Sequence, residues 1–180
     1  MSVTKIAYRY GKSLLELAQD QNALDKVVQD LEVFRDGLQS REFVNLLDSP
    51  IVKADKKIKI FEAIFSDHLG DLTMKYFRLI IQKGREALLP QITDAFFEQY
   101  DDLKKITKVD VTVAKPVDDE TLSAIKENLS KSGKTHENIK LNVEIDEELL
   151  GGFILEFEGQ KYDESVRSKI SELKKNFSNN

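Results

Sequence analysis

The chain has no cysteine, which excludes disulfides and thiolate metal sites. It also lacks a basic excess: 27 Lys and Arg against 32 Asp and Glu leave a net charge of −5, removing the electrostatic basis for wrapping nucleic acid. No run approaches the roughly 20 apolar residues that cross a bilayer. The opening Met-Ser-Val-Thr-Lys-Ile-Ala-Tyr-Arg-Tyr has no apolar core of signal-peptide type and enters a helical pattern at once, so the chain reads as cytosolic, reaching a membrane through partners. The nucleophile pattern Gly-x-Ser-x-Gly is missing. The two histidines, His68 and His136, fall in different predicted domains, whereas a zinc site needs three or four converging ligands. These absences count against chemistry and leave binding.

What is present suits a folded, highly charged protein: 41% apolar and 33% charged residues in 180, enough for one large domain or two small ones. Up to about residue 105 the apolar residues recur at helical spacing. Ile6, Tyr10, Leu14 and Leu17 give one stripe, and Leu24 to Leu38 a second, with Asp20-Gln-Asn22 as a polar joint. A short third helix near Glu42 to Leu47 stops at Asp48-Ser49-Pro50, because the residue before a proline avoids the helical region. A fourth runs from about Ala54 to Phe65. The fifth, about Leu69 to Lys83, is apolar over much of its circumference, so it is either central to a bundle or partly reserved for a partner. Gly84 is placed to cap it. A sixth follows from about Ala87 to Lys105, with Pro90 in its first turn.

At Ile106 the period changes. Val109, Val111 and Val113 alternate with polar residues as a strand, and Leu141, Val143 and Ile145 make a second. Between them Asp118 or Asp119 caps a helix carrying Leu122, Ile125 and Leu129, which Ser132-Gly133-Lys134 ends. Phe153, Leu155 and Phe157 form a third strand that turns through Glu158-Gly159-Gln160 into Lys161-Tyr-Asp163. A last helix starts near Ser165 with Val166, Ile170, Leu173 and Phe177, and either Asp163 or Ser165 is its cap. The expected fold is mainly α in two domains: a six-helix bundle over residues 1–105 and a small α+β domain over 106–180.

Several fragments invite a chemical reading that the spacing refuses. Ser132-Gly133-Lys134-Thr135 mimics the end of a phosphate loop, but Asn128 stands where its first glycine is required, and a helix precedes it where a strand should. The clusters Asp118-Asp119-Glu120 and Asp146-Glu147-Glu148 precede helices or turns, where favourable contact with a helix N-terminus explains them more simply than acid–base catalysis. The basic run Lys53-Ala-Asp-Lys-Lys-Ile-Lys59 reads as one solvated helix face, with weak contact to an acidic partner or anionic lipid behind it. Gly151-Gly152 is either a tight turn with positive φ or a surface where another backbone comes close; both can hold. No cofactor is expected.

Four segments, in order and at the right separations, carry a family resemblance. Ala7-Tyr-Arg-Tyr-Gly-Lys-Ser-Leu-Leu-Glu-Leu-Ala18, Phe43-Val-Asn-Leu-Leu-Asp-Ser-Pro50, Tyr76-Phe-Arg-Leu-Ile-Ile-Gln-Lys-Gly-Arg-Glu-Ala-Leu-Leu-Pro-Gln-Ile92, and Gly151-Gly152-Phe153 with Asp163-x-Ser165-Val166-Arg167 resemble the δ/oligomycin-sensitivity subunit of F-type ATP synthases. Gly11 stands where alanine is usual, Glu164 where glycine is often found, and Glu156 where a basic residue is common. The resemblance implies a non-catalytic stator subunit of a proton-translocating ATP synthase, monomeric alone and present in one copy. Its N-terminal bundle would hold the N-terminal segments of the α subunits in a groove lined by the first and fifth helices, and its C-terminal domain would grip the C-terminal end of the b subunit. Such a protein would sit peripherally on the cytoplasmic face of a bacterial plasma membrane. The groove residues expected are Tyr10, Gly11 and Leu14 with Phe77, Ile80 and Ile81; Gly151, Gly152 and Phe153 are expected to serve the b subunit or the fold. The competing readings are a small enzyme with a site in the C-terminal domain and a helical adaptor unrelated to ATP synthase.

Overall fold

The computed structural model describes residues 2–131, 135–136, 138–157 and 159–171. The chain divides into two compact units, residues 1–100 and 101–180. It is mostly helical with one four-stranded sheet.

The first unit contains α1 (Val3–Asp20), α2 (Leu24–Gly37), α3 (Arg41–Asp48), α4 (Ala54–Phe65), α5 (Asp71–Gln82), a single 3₁₀ turn (Glu86–Leu88) and most of α6 (Leu89–Lys104). The ends of these helices follow from local chemistry. Asn22 closes α1 in the left-handed region (φ 53°), with the Ala23 N–H reaching back to the Ala18 carbonyl at 2.8 Å. The Ser40 hydroxyl accepts from the Phe43 N–H and so caps α3, a signal the sequence offered and the helical periodicity alone did not use. Ser49 is extended (ψ 120°) before Pro50. Gly84 (φ 64°) ends α5, with the Arg85 N–H donating to the Ile80 carbonyl at 3.1 Å.

One apolar core joins these helices. At its centre the Phe34 ring lies 4.7 Å from Phe77 and 5.9–6.1 Å from Phe43, Phe61 and Phe65. Leu14, Leu31, Ile80, Ile81, Leu89, Ile92 and Phe96 are buried around it. Burying each such side chain stabilises by about 1.5–3 kcal/mol before entropy is subtracted. α5 contributes Thr73, Tyr76, Phe77, Ile80 and Ile81 to this interior, so its wide apolar circumference reflects a central position; Leu79 is its one large apolar side chain that stays exposed. The buried face of α1 is Ala7, Gly11, Leu14, Leu15 and Ala18. Ile6, Tyr10 and Leu17 of the expected stripe lie at its margin, half-buried. The buried face is rich in small residues because helices approach most closely where side chains are small.

Two buried charges tie the unit together. Asp30 on α2 accepts from the Gly70 N–H (2.8 Å) and the Thr73 hydroxyl (2.6 Å) and pairs with Lys26 (2.8 Å). Lys57 is also buried, donating to the Leu47 carbonyl (2.7 Å) and to Glu86 (2.6 Å). The basic run is therefore not one solvated face: Lys57 leaves it to close the end of α3.

In the second unit, β1 (Ile106–Val113), β2 (Asn138–Ile145), β3 (Phe153–Phe157) and β4 (Gln160–Asp163) form a sheet in the order β2-β1-β3-β4. β1 pairs in parallel with β2, and α7 (Asp119–Lys131) lies between them in the chain, as a parallel pair requires. The β1–β3 and β3–β4 pairs are antiparallel. Opposed residues Val109↔Leu141, Val111↔Leu155 and Val113↔Phe153 place the alternating apolar set on one face, where it packs with Leu129 and Ile125 of α7. The Asp118 carboxylate accepts from the Thr121 N–H (2.9 Å), so Asp118 rather than Asp119 caps α7. The return segment beyond Gly159 is a fourth strand in its own right. Residues 166–171 begin α8. Ser132, Gly133 and Lys134, the turn residue Glu158, and Leu173 and Phe177 of the last helix lie outside the described residues.

Candidate functional site

The expected groove residues divide sharply by depth. Leu14, Phe77, Ile80 and Ile81 are at most 1% exposed, so they meet this chain's own core and present no surface. Gly11 is buried too. A Cβ placed on it would stand 2.8 Å from the Phe96 backbone nitrogen and 3.0 Å from the Ala95 carbonyl carbon, so the helix that its small size admits is α6. As surface contacts these five assignments are therefore corrected: their apolar character marks a packed interior. Tyr10 alone remains half-buried at the surface.

Tyr10 lines an open hollow of about 330 Å³ with Ile6, Arg9, Ser13 and Arg85. Ile6, Tyr10 and Ser13 recur at helical spacing along one face of α1, while Arg85 arrives from the connection after α5. Tyr10 is held from two sides. Its carbonyl accepts from the Tyr76 hydroxyl at 2.8 Å, and the Arg85 guanidinium lies 5.4 Å from its ring centroid and donates to its hydroxyl. Burial pushes the Tyr76 hydroxyl well above the ordinary tyrosine range, with Tyr10 adding to it, so Tyr76 stays a neutral donor. The hollow thus offers a tyrosine face, an aliphatic side chain and two guanidinium groups. Among the described residues no group of three His, Cys, Asp or Glu converges on a point, and no helix is long and apolar enough to cross a membrane.

The second unit gathers the terminal signature at one junction. Gly152 (φ 77°) is a turn residue and a close approach together: an added Cβ would lie 2.3 Å from the Glu164 carbonyl oxygen. The backbone that comes close is this chain's own. The Glu164 N–H donates to the Phe153 carbonyl (3.0 Å) and the Val166 N–H to the Gly151 carbonyl (2.9 Å), fastening the start of α8 to β3. Phe153 is half-buried against the sheet core. Ser165, buried, caps α8 by accepting from the Ser168 N–H (3.1 Å), while Asp163 accepts from the Ser165 N–H (2.9 Å) and the Ser168 hydroxyl (2.5 Å). Ser165 is therefore the cap, and Asp163, two residues earlier, braces it.

These donors, the Ser168 hydroxyl foremost, hold the Asp163 carboxyl down to about 2 from its usual 3.8. A depressed carboxylate stabilises the fold while ionised. Its contribution is therefore fully present above about pH 4 and lost as the pH falls towards 2. The Asp163 carboxyl is expected to titrate in NMR with a midpoint near 2, and Asp163→Asn should remove this part of the acid dependence. A midpoint at the usual 3.8 would contradict the hydrogen-bond geometry.

The junction also exposes apolar surface. Leu150 is 71% exposed and in the left-handed region (φ 63°), and Val166 and Ile170, each 40% exposed, follow on α8. A leucine in that region costs about 1 kcal/mol. Exposure at Leu150 could not be read from periodicity, because it depends on the turn that follows Asp146.

The comparisons address the whole chain. The family model described as ATP synthase delta (OSCP) subunit matches residues 6–177, thus spanning both units. The chain belongs to this family. The ATP synthase subunit delta of Cytophaga hutchinsonii is 36% identical over 182 residues, covering 98% of this chain and 96% of that protein. That of Chlorobium phaeobacteroides is 36% identical over 177 residues, covering 97% and 96%. Among solved structures, a chain of the Toxoplasma gondii mitochondrial ATP synthase hexamer superposes with a TM-score of 0.71 over 95% of this chain and 96% of that one, at 23% identity, which shows a shared fold. Tyr10, Arg85, the Gly151-Gly152 turn and the Asp163–Ser165 cap all lie inside the matched span.

Proposed function

We propose that this chain is a non-catalytic stator subunit of an F-type ATP synthase, joining the catalytic head to the membrane sector so that rotor torque drives ATP synthesis. The family match across both units carries this reading. The first unit, acting as a six-helix bundle over residues 1–105, binds N-terminal segments of the α subunits. The second, over 106–180, binds the C-terminal end of the b subunit. A connector of this kind works by resisting torque, which needs packed interiors and two separate docking surfaces. The single Phe34-centred core and the pinned β3–α8 junction are suited to that task. The protein would reside on the cytoplasmic face of a bacterial plasma membrane through its complex, in one copy.

The α-subunit surface is the Tyr10 hollow on α1, with Leu14, Phe77, Ile80 and Ile81 in the buried core that anchors α1 and α5. The b-subunit surface is the exposed apolar set beside Gly151-Gly152: Leu150, Val166 and Ile170. The deciding experiment is affinity purification of the tagged chain from its own membranes. The α and b subunits should co-purify with it, and recovery without either one would end this reading.

Leu150→Gly separates the fold from docking. The glycine removes the left-handed strain at φ 63°, partly offset by a freer unfolded chain, so stability to urea should rise by up to about 1 kcal/mol. Affinity for the soluble domain of b should fall at the same time. A variant that is stabilised yet binds b unchanged would remove Leu150 from the surface.

A further inference from the structure

We propose that Arg85 reads a carboxylate on the segment that docks at the Tyr10 hollow, so that the occupant is an amphipathic helix setting apolar side chains on Ile6 and Tyr10 and one acidic side chain on the guanidinium. This rests on the reading that a helical α-subunit segment docks along α1.

Charge complementarity is the first ground. The chain is acidic overall, at −5, yet among the described residues those lining this hollow include the Arg85 guanidinium and no carboxylate. The acid nearest Arg85 in the chain, Glu86, turns inward to the buried Lys57 at 2.6 Å and does not neutralise it. The second ground is preorganisation. The α5 cap fixes the Arg85 backbone through its bond to the Ile80 carbonyl, and the Tyr10 ring and hydroxyl steady its side chain. A guanidinium carries five N–H donors in a planar fork matched to a carboxylate, and among the described residues the Tyr10 hydroxyl is its one hydrogen-bond partner. An exposed arginine held this way loses less freedom on binding than a mobile one. The third ground is geometry: Ile6, Tyr10 and Ser13 follow one another at helical spacing on one face of α1 and line the same open hollow, the arrangement on which an amphipathic helix docks.

The test is calorimetry of the full chain against a synthetic peptide of the α-subunit N-terminal segment from the same organism. The parent should bind, more weakly in high salt. Arg85→Gln should weaken binding about tenfold and lower the melting temperature only slightly, because the α5 cap is made by backbone groups and only the exposed Tyr10 contact is lost; Arg85→Lys should recover only part of the loss in binding. Peptides with each Asp or Glu replaced by its amide should include one that loses the same tenfold against the parent and nothing against Arg85→Gln. If Arg85→Gln binds as tightly as the parent, or no peptide carboxylate couples to it, the assignment of Arg85 is wrong while docking stands. If the parent does not bind the peptide, docking at this hollow fails and the inference with it.

Discussion

Gly11→Leu is expected to unfold the first unit, or to destabilise it by about 3 kcal/mol or more. The reason is local. The position of the missing Cβ is already within 2.8 Å of the Phe96 nitrogen and 3.0 Å of the Ala95 carbonyl carbon, both backbone atoms of α6, with the Gln99 side chain at 3.2 Å. A flexible side chain could swing aside; a helix backbone cannot, so α1 and α6 must separate. Separation would also break the bond from the Gln99 side-chain amide on α6 to the Tyr8 carbonyl on α1. Gly11→Ala sets two effects against each other: a gain of about 1 kcal/mol in helix propensity and the first carbon of the same clash. The clash should win, leaving a net loss of about 1 kcal/mol. Urea and thermal melts followed by circular dichroism check both variants. A Gly11→Leu protein that melts with the parent would mean that α6 is not packed on this face. A folded Gly11→Leu protein that no longer binds the α-subunit peptide would return Gly11 to the docking surface, where the sequence first suggested it.

That reversal shows which parts of the molecule periodicity can reach. Runs of apolar residues locate helices well: the spacing from Leu24 to Leu38 and from Ala54 to Phe65 coincides with α2 and α4, and the alternation at Val109, Val111 and Val113 coincides with the buried face of β1. Caps were legible where the residue type is distinctive, as with Gly84 after α5 and Ser165 before α8. Depth was not. Hydrophobicity cannot separate an interior side chain from a docking one, since both avoid water, so Phe77 and Ile80 looked the same as groove residues until the neighbouring helices were placed. Small residues present the opposite difficulty. Ala7, Gly11 and Ala18 carry little hydrophobic signal, yet they make the close face of α1. Charges engaged at long range were invisible as well. Nothing near Lys57 in sequence announces Glu86, and nothing near Asp30 announces Gly70 and Thr73, about 40 residues away. The Tyr10–Arg85 contact, whose partners are 75 positions apart, belongs to the same class. Family resemblance could find the segments that carry both residues but not the geometry that joins them.

Asp30→Ala should destabilise the first unit by about 3 kcal/mol. The carboxylate is 1% exposed and satisfied by three groups: the Gly70 N–H, the Thr73 hydroxyl and the Lys26 ammonium. It sits at the N-terminus of α5, where negative charge also gains from the helix dipole. Alanine leaves the Gly70 and Thr73 donors facing apolar surroundings, whereas the Lys26 side chain, 54% exposed, can turn to water. Asp30→Asn keeps an acceptor and loses the charge, so about half of the effect is expected. Lys26→Met should stay within about 1 kcal/mol of the parent, as for other exposed ion pairs. Urea titration of the three variants tests the ordering, and an Asp30→Ala protein as stable as Lys26→Met would show that water, not the carboxylate, satisfies the start of α5. The same series separates folding from docking. α5 is 12 residues long, about 18 Å, and Arg85 lies beyond its far end. Below its lowered melting temperature, Asp30→Ala should therefore bind the α-subunit peptide with the parent's affinity, while Arg85→Gln should melt close to the parent and bind weakly. Opposite responses from the two variants would show that α5 is anchored at one end and recognised at the other.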